Sequence, residues 1–219
     1  MQLSISPTLL NAYEWYLSSP PNWKGSAFDA LSAMLRREKR ERAVSASRGE
    51  DFEAYVYYAC DNVPQDEVRG SNLFREVVAK CRGGQFQTWA SYNFYFEKTP
   101  VRAYGKLDVL LPDKVIDIKT TGRFRGASQY INGWQPAIYL LATQRPVFEF
   151  VIAEWENADG KDNTIKAVHS VEVQWSSTMH DKLVNRYGEF LEWLKGVDLY
   201  DDYVYTFCKN TRPSVIVKK

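Results

Sequence analysis

Residues 105–121 read Gly-Lys-Leu-Asp-Val-Leu-Leu-Pro-Asp-Lys-Val-Ile-Asp-Ile-Lys-Thr-Thr, two apolar runs parted by Pro112-Asp113. Proline beside aspartate marks a turn, so the runs are expected to pair as a hairpin. If those two residues form the loop, Asp108 faces Asp117. Lys119 then shares the Asp117 face, because side chains alternate along a strand. A longer loop would slide this register. Carboxylates facing each other at about 5 Å repel, and one of them is pushed up in pKa unless a positive charge offsets the pair. Lys119 is one such charge; a divalent cation is the better one, since Mg²⁺ prefers hard oxygen ligands. The opposite face offers Leu107, Val109, Ile116 and Ile118 as core. A solvated amphipathic hairpin would also carry acids and lysines. Charges set among β-branched residues, as in Ile116-Asp117-Ile118-Lys119, argue instead for the wall of a site.

The rest of the chain supplies a frame for that hairpin. Ser6-Pro7 opens a helix through Leu17, with Leu10 and Tyr13 at helical spacing. A second helix is expected after Gly25, running toward Val44, and a third from Ser47, where Ser47-x-x-Glu50 matches a capping box. On the third helix Phe52, Tyr55, Val56 and Ala59 mark the buried face, and Glu53 lies beside it. Gly49 lets another backbone approach. From Gln85 the period becomes strand-like, with strands over Gln85–Phe96, Val101–Leu111 and Lys114–Thr120. A basic loop, 122–126, leads to a helix over 128–143. Strands at 148–155 and 164–175 and a helix at 179–194 follow. The order is that of an α/β domain with a central sheet, and one domain over 1–219 is expected.

Composition narrows the function classes. Lys plus Arg is 28 against 27 Asp plus Glu, a net charge of +1, so binding through an overall basic surface is excluded while a local basic groove is not. One such patch is 36–42, five basic residues against two acidic, which also suits a solvated helix face; Arg123 and Arg125 form another. Cys60, Cys81 and Cys208 are too few and too scattered for a disulfide scaffold or zinc knuckle. No apolar run approaches a membrane span and no signal peptide is evident, so a reducing cytoplasm is expected. Tyr92, Phe94 and Phe96 share a strand face and read as core packing rather than base stacking. His169 and His180 fit no zinc pattern and read as structural or surface residues.

Taken in order, several motifs resemble the PD-(D/E)xK nuclease superfamily in its RecB-like and phage-exonuclease-like branch. They are Ile5-Ser6-Pro7-Thr8-Leu9-Leu10-Asn11-Ala12-Tyr13, Gly49-x-x-Phe52-Glu53, Gly105-x-x-Asp108, Asp117-Ile118-Lys119 and Gln135-x-x-x-Tyr139, spanning about residues 5 to 155. The resemblance implies a restriction-endonuclease-like core: a central mixed β-sheet flanked by helices in α-β-β-β-α-β order, preceded by a helical N-terminal segment. It implies Mg²⁺ or Mn²⁺ held by Glu53, Asp108, Asp117 and the Ile118 carbonyl, with Lys119 orienting or activating the attacking water. Gln135 and Tyr139 would shape the site or touch the substrate backbone, and Arg36, Arg37, Arg40, Arg123 and Arg125 would contact nucleic acid.

The implied activity is hydrolysis of DNA, as an exonuclease in recombination, repair or phage DNA metabolism. The substrate would be duplex with an end or single-stranded DNA, in the cytoplasm of a bacterium or of a phage's bacterial host. A recombinase or helicase would be a separate chain, since no Gly-x-x-x-x-Gly-Lys-Ser/Thr motif occurs. Three cysteines do not suit an iron–sulfur cluster. A catalytically silent binding module, an endonuclease and an RNA-cleaving enzyme remain as alternatives, though none of the four core residues has been lost. Pro136 is awkward inside a straight helix; it fits one that begins near Trp134, with Pro136 in its first turn, or one that kinks there.

Overall fold

The computed structural model describes residues 2–38, 44–157 and 164–208. Its elements run β1 (Leu3–Ile5), α1 (Pro7–Ser18), α2 (Pro21–Leu35), α3 (Val44–Asn62), α4 (Asn72–Cys81), β2 (Gln85–Phe96), β3 (Thr99–Leu110) and β4 (Lys114–Thr121). Then come α5 (Ser128–Ile131), α6 (Trp134–Thr143), β5 (Val147–Trp155), β6 (Ile165–Gln174), α7 (Met179–Gly196) and α8 (Tyr200–Phe207). The result is a mixed α/β fold, a central mixed sheet flanked by helices, consistent with a restriction-endonuclease-like core. Among the described residues no helix is long and apolar enough to cross a membrane.

Six strands form the sheet. β2 lies antiparallel to β3, β4 pairs parallel with β5, and β6 closes the far edge antiparallel to β5. One face carries α1, α2, α6, α7 and α8 over Leu107, Val115, Phe148 and Phe150. The other carries α3 and α4 over Val109, Ile116, Ile118 and Val151. β3 is shared along one edge. β1 pairs with it in parallel at Val101–Ala103, and β4 pairs with it only at Val109–Ile116 and Leu110–Val115. The stretch between, residues 104–108, has no strand partner on that edge among the described residues. The sheet therefore forks where β4 leaves β3.

Several expectations are corrected. The second helix ends at Leu35, with Arg37 at a φ of 52°, so 36–42 does not continue it; residues 39–43, Arg40 among them, lie outside the described residues. α3 begins at Val44, which places Ser47 inside its first turn rather than at its cap. The helix over 128–143 is two helices parted at Asn132-Gly133, and Pro136 falls in the first turn of α6. β1, α4 and α8 were not anticipated. Leu107 belongs to the face opposite Val109.

That last difference has a local cause. In the β2–β3 ladder Phe86 pairs Val109 and Thr88 pairs Leu107, but the pair between them, Gln87 with Asp108, is skipped. Gln87 takes a φ of 54°. Both strands change face there: Phe86 and Val109 pack under α3 and α4, whereas Ala90 and Leu107 pack on the other side. Strict alternation from Val109 back to Leu107 therefore fails at Asp108.

Candidate active site

Asp108 sits at the kink and at the fork together. Its register partner across the hairpin is Asp117, as the two-residue loop requires, but the ladder ends one pair short. The Asp108 carboxylate instead accepts the Ile118 N–H at 2.9 Å. Asp117 is 2% exposed. Its Oδ1 accepts Gln135 Nε2 at 2.9 Å, and its Oδ2 lies 2.5 Å from Lys119 Nζ. That same Oδ2 makes no hydrogen bond of good geometry, so the ammonium touches it without satisfying it. Glu53 approaches from α3, on the other face of the sheet; the open fork is where groups from both faces meet.

The electrostatics are those of crowded carboxylates. Burial pushes Glu53 up to about 7, with Asp117 and Glu50 adding to the rise while Lys119 and a hydrogen bond from Tyr57 oppose it. Burial likewise drives Asp108 to about 8, reinforced by the Asp117 and Glu53 charges and opposed by Lys119 and the Ile118 N–H. Burial pulls Lys119 down, yet Asp117, Asp108 and Glu53 outweigh it and hold the ammonium above its usual range. The cluster thus has more acid than one lysine can offset. Among the described residues no three His, Cys, Asp or Glu side chains converge as a ready metal cage. The donor set still suits a hard divalent cation: carboxylate oxygens reluctant to ionise together, and a buried, unsatisfied Asp117 Oδ2.

Helix α1 sets the position of α6. Ser6 caps α1, its Oγ accepting Leu9 N at 3.2 Å, with Pro7 in the first turn. Gly133, at the cap of α6, has no side chain to offer; Asn11 Oδ1 accepts the Trp134 N–H at 2.8 Å in its place, and Glu14 accepts Trp134 Nε1 at 3.0 Å. Gln135 follows and reaches Asp117. One turn on, Tyr139 donates to the Lys106 carbonyl at 3.1 Å. A Cβ at Gly105 would lie 2.5 Å from the Tyr139 ring, so only glycine admits the ring this close to β3. On the other side, a Cβ at Gly49 would meet Thr120 Oγ1 at 3.1 Å, which brings α3 close to the end of β4.

The site also uses two residues that no motif marked. Gln87 Nε2 donates to the Tyr57 hydroxyl at 2.8 Å, and Tyr57 in turn bonds Glu53. Tyr57 is legible only as one more aromatic on a helix, and nothing in the sequence signals a left-handed glutamine inside a strand.

The basic residues divide. Arg123 and Arg125 are exposed on the loop that leaves β4 just past Lys119. Phe124 between them stacks on His169 at 4.0 Å, and His169 is held by Glu154 at 2.8 Å, so the loop is anchored while its arginines face out. Arg36 is instead tied to Asp202 of α8 at 2.8 Å, and Arg37 lies over the Phe207 ring. Arg37 lines a surface pocket with Ser6 and Thr8 at the start of α1. Phe94 and its neighbours Tyr92 and Phe96 pack in the core as expected. His180 bonds the Tyr92 hydroxyl.

Several solved structures share this fold, two of them as follows. The crystal structure of SSO0001 matches with a TM-score of 0.52 at 13% identity, over 87% of this chain and 76% of that one. An alkaline exonuclease (LHK-Exo) from Laribacter hongkongensis matches with a TM-score of 0.54 at 12% identity, over 90% of each chain. At such identities the likeness is one of fold. No family model matches the sequence, and no curated protein does.

Proposed function

We propose that the chain is a divalent-metal-dependent nuclease of the PD-(D/E)xK superfamily that hydrolyses DNA phosphodiester bonds, with residues 1–219 as one nuclease domain. The observation that carries this reading is the Asp117–Lys119 contact at 2.5 Å within a fork that also gathers Asp108 and Glu53. The fold shared with an alkaline exonuclease supports it and favours an exonuclease in DNA recombination, repair or phage DNA metabolism.

Glu53, Asp108, Asp117 and the Ile118 carbonyl would hold Mg²⁺ or Mn²⁺. Bound there, the ion would supply a Lewis acid for the phosphate and a lowered pKa for water. The chain's own groups do the rest. Gln135 fixes the Asp117 carboxylate, and Tyr57 fixes Glu53. Lys119, held as an ammonium by its neighbours, presents a positive charge to the phosphate as negative charge develops. Tyr139 and Gly105 hold α6 at the height Gln135 needs. Arg123 and Arg125 contact backbone phosphates of the strand entering the fork.

A second reading, a nuclease-like module that binds nucleic acid without cutting, is favoured by the lack of three converged ligands among the described residues. One assay separates the two. The protein is incubated with Mg²⁺ or Mn²⁺ and linear duplex, closed circular duplex, single-stranded DNA or RNA. Degradation of the DNA with ends, and sparing of the circle, is the expected result. Binding without cleavage of any substrate overturns the nuclease reading.

A further inference from the structure

A cavity of about 730 Å³ lies against α3, and it contains none of the four clustered groups of the candidate active site. Helical spacing puts Arg48, Asp51 and Tyr55 on one flank of α3 and Glu53 and Tyr57 on the other. Tyr55 is 51% exposed, unusual for a tyrosine whose ring stacks on a buried Phe74 at 4.9 Å and 22°. The stack fixes the ring and leaves it facing the cavity. Arg48 lies over the Trp155 ring at 3.9 Å and donates to the Asn157 carbonyl, which pins its guanidinium at the edge of the cavity. Arg69, from the loop before α4, also lines the cavity, and Asp51 adds an acceptor.

A rigid aromatic face flanked by two guanidiniums and one carboxylate suits a particular chemistry. The ring takes the π-face of a nucleobase, the arginines take its phosphates, and the carboxylate takes a base N–H. The volume falls within the usual range for small-ligand sites, about 300–1,000 Å³. Position agrees with chemistry. Trp155 ends β5, and the residue before it, Glu154, is in register with Thr121 at the end of β4. Trp155 lies five residues beyond Phe150, the register partner of Asp117, so cavity and carboxylates are about 16 Å apart along β5. An unpaired strand, more extended than one strand of a stacked duplex, crosses that distance in a few nucleotides.

We propose that this cavity binds an unpaired nucleotide of the DNA strand being cleaved, a few nucleotides from the scissile bond, with its base on Tyr55 and its phosphates beside Arg48 and Arg69. The inference rests on the nuclease reading above and adds a requirement to it: the strand must be single-stranded where it passes α3. A duplex with no frayed end cannot fill the cavity.

The test uses the full chain, fluorescein-labelled oligothymidylate of twelve nucleotides, a blunt duplex of equal length, and bis(p-nitrophenyl) phosphate as a diester too small to reach the cavity. Binding is read by anisotropy in EDTA, and hydrolysis with Mn²⁺. Tyr55→Ala should weaken oligothymidylate binding about 5- to 150-fold, the range of one lost base–aromatic stack, while hydrolysis of the small diester stays at the native rate. Arg69→Ala, at an exposed position clear of the Phe74 stack, should also weaken oligothymidylate more than duplex; it keeps the test valid if Tyr55→Ala loosens α4. Native oligothymidylate affinity in both variants overturns the cavity assignment and leaves the nuclease reading standing. An equal loss for oligothymidylate and duplex overturns the requirement for an unpaired base. A native protein that hydrolyses neither diester nor DNA overturns the nuclease reading, and this inference with it.

Discussion

Gln87 stands opposite Asp108 in the register of β2 and β3, and the ladder breaks at that pair. Of the described non-glycine residues with positive φ, Gln87 alone lies inside a strand; Arg37, Glu97, Gln144 and Asp198 sit at turns and helix ends. A left-handed residue in a strand costs on the order of 1–3 kcal/mol and persists where its surroundings impose it. Here the kink turns Asp108 toward β4 and aims the Gln87 amide at Tyr57.

Gln87→Gly should separate the two effects. Glycine adopts the same φ without strain but loses the bond to Tyr57, and with it the restraint on Glu53. The melting temperature should hold or rise. Cleavage should fall about 10- to 100-fold, as for other residues that orient a metal ligand. Thermal melts alongside single-turnover cleavage check this; native turnover would mean that Tyr57 does not depend on Gln87.

Asp108→Asn should abolish cleavage and stabilise the fold. The folded carboxyl is raised to about 8, so it keeps a proton that the unfolded chain releases above pH ~4. Stability is therefore lost as pH rises from about 4 toward 8, and the amide removes that loss. In EDTA at pH 7.5 the variant should melt at least ~2–4 °C higher than native, the shift worth about 1 kcal/mol in a chain of this size. The gain should shrink as pH falls toward 4. Calorimetry across that range is the check, and a lower melting temperature at pH 7.5 would contradict it.

Lys119→Ala leaves Asp117 buried beside two other carboxylates with no ammonium. Without metal the variant should melt several degrees lower than native. Mn²⁺ should restore more stability to it than to native, because the cation replaces the missing charge and binding to the folded state stabilises it. DNA affinity should change little while turnover collapses. Lys119→Arg keeps the charge in a different shape and should recover stability but little turnover.

Glu149 offers a test away from the site. It is 1% exposed and pairs with Lys80 at 2.8 Å, Lys114 at 2.6 Å and Ser170 at 2.5 Å. Burial alone would raise its pKa, but the bonds from Lys114, Lys80 and Ser170 prevail and hold it at about 2. A depressed carboxylate contributes stability above its unfolded pKa and loses it as pH falls through the folded value. Glu149→Gln should therefore cost on the order of 3 kcal/mol at pH 7, with the difference from native closing between about pH 4.5 and 2. Urea melts at several pH values would show it; a constant difference would assign the role to packing.

The hairpin at Pro112-Asp113 was legible because one turn signal parts two apolar runs, and of the registers left open the structure keeps the two-residue-loop one, at Val109–Ile116. The strands over Gln85–Phe96 and Lys114–Thr120 were equally plain from their β-rich composition, the second ending one residue later, at Thr121. Asp108 was placed on the right strand, but its true neighbour, the Ile118 N–H, depends on a fork that two-strand reasoning does not contain. Ser47 shows the converse. Its capping pattern is local, and a helix begun at Val44 runs through it. Helix α4 was present in the pattern, with Ser71 as cap and Phe74, Val77, Val78 and Cys81 at core spacing, and could have been read. Tyr57 and Gln87 could not, since their roles exist only once α3 lies across the kink.

The contact between Gly105 and Tyr139 ties two positions into one inherited unit. Any side chain at 105 meets the Tyr139 ring, and lifting that ring carries α6 and Gln135 away from Asp117. A lineage descending from this chain can enlarge residue 105 only after residue 139 has become smaller, and the smaller residue gives up the Lys106 carbonyl. Either first step loosens the grip on Asp117 before the second can restore it. Descendants should therefore keep both residues or exchange both, and a chain carrying one without the other should be sought among those that no longer cut.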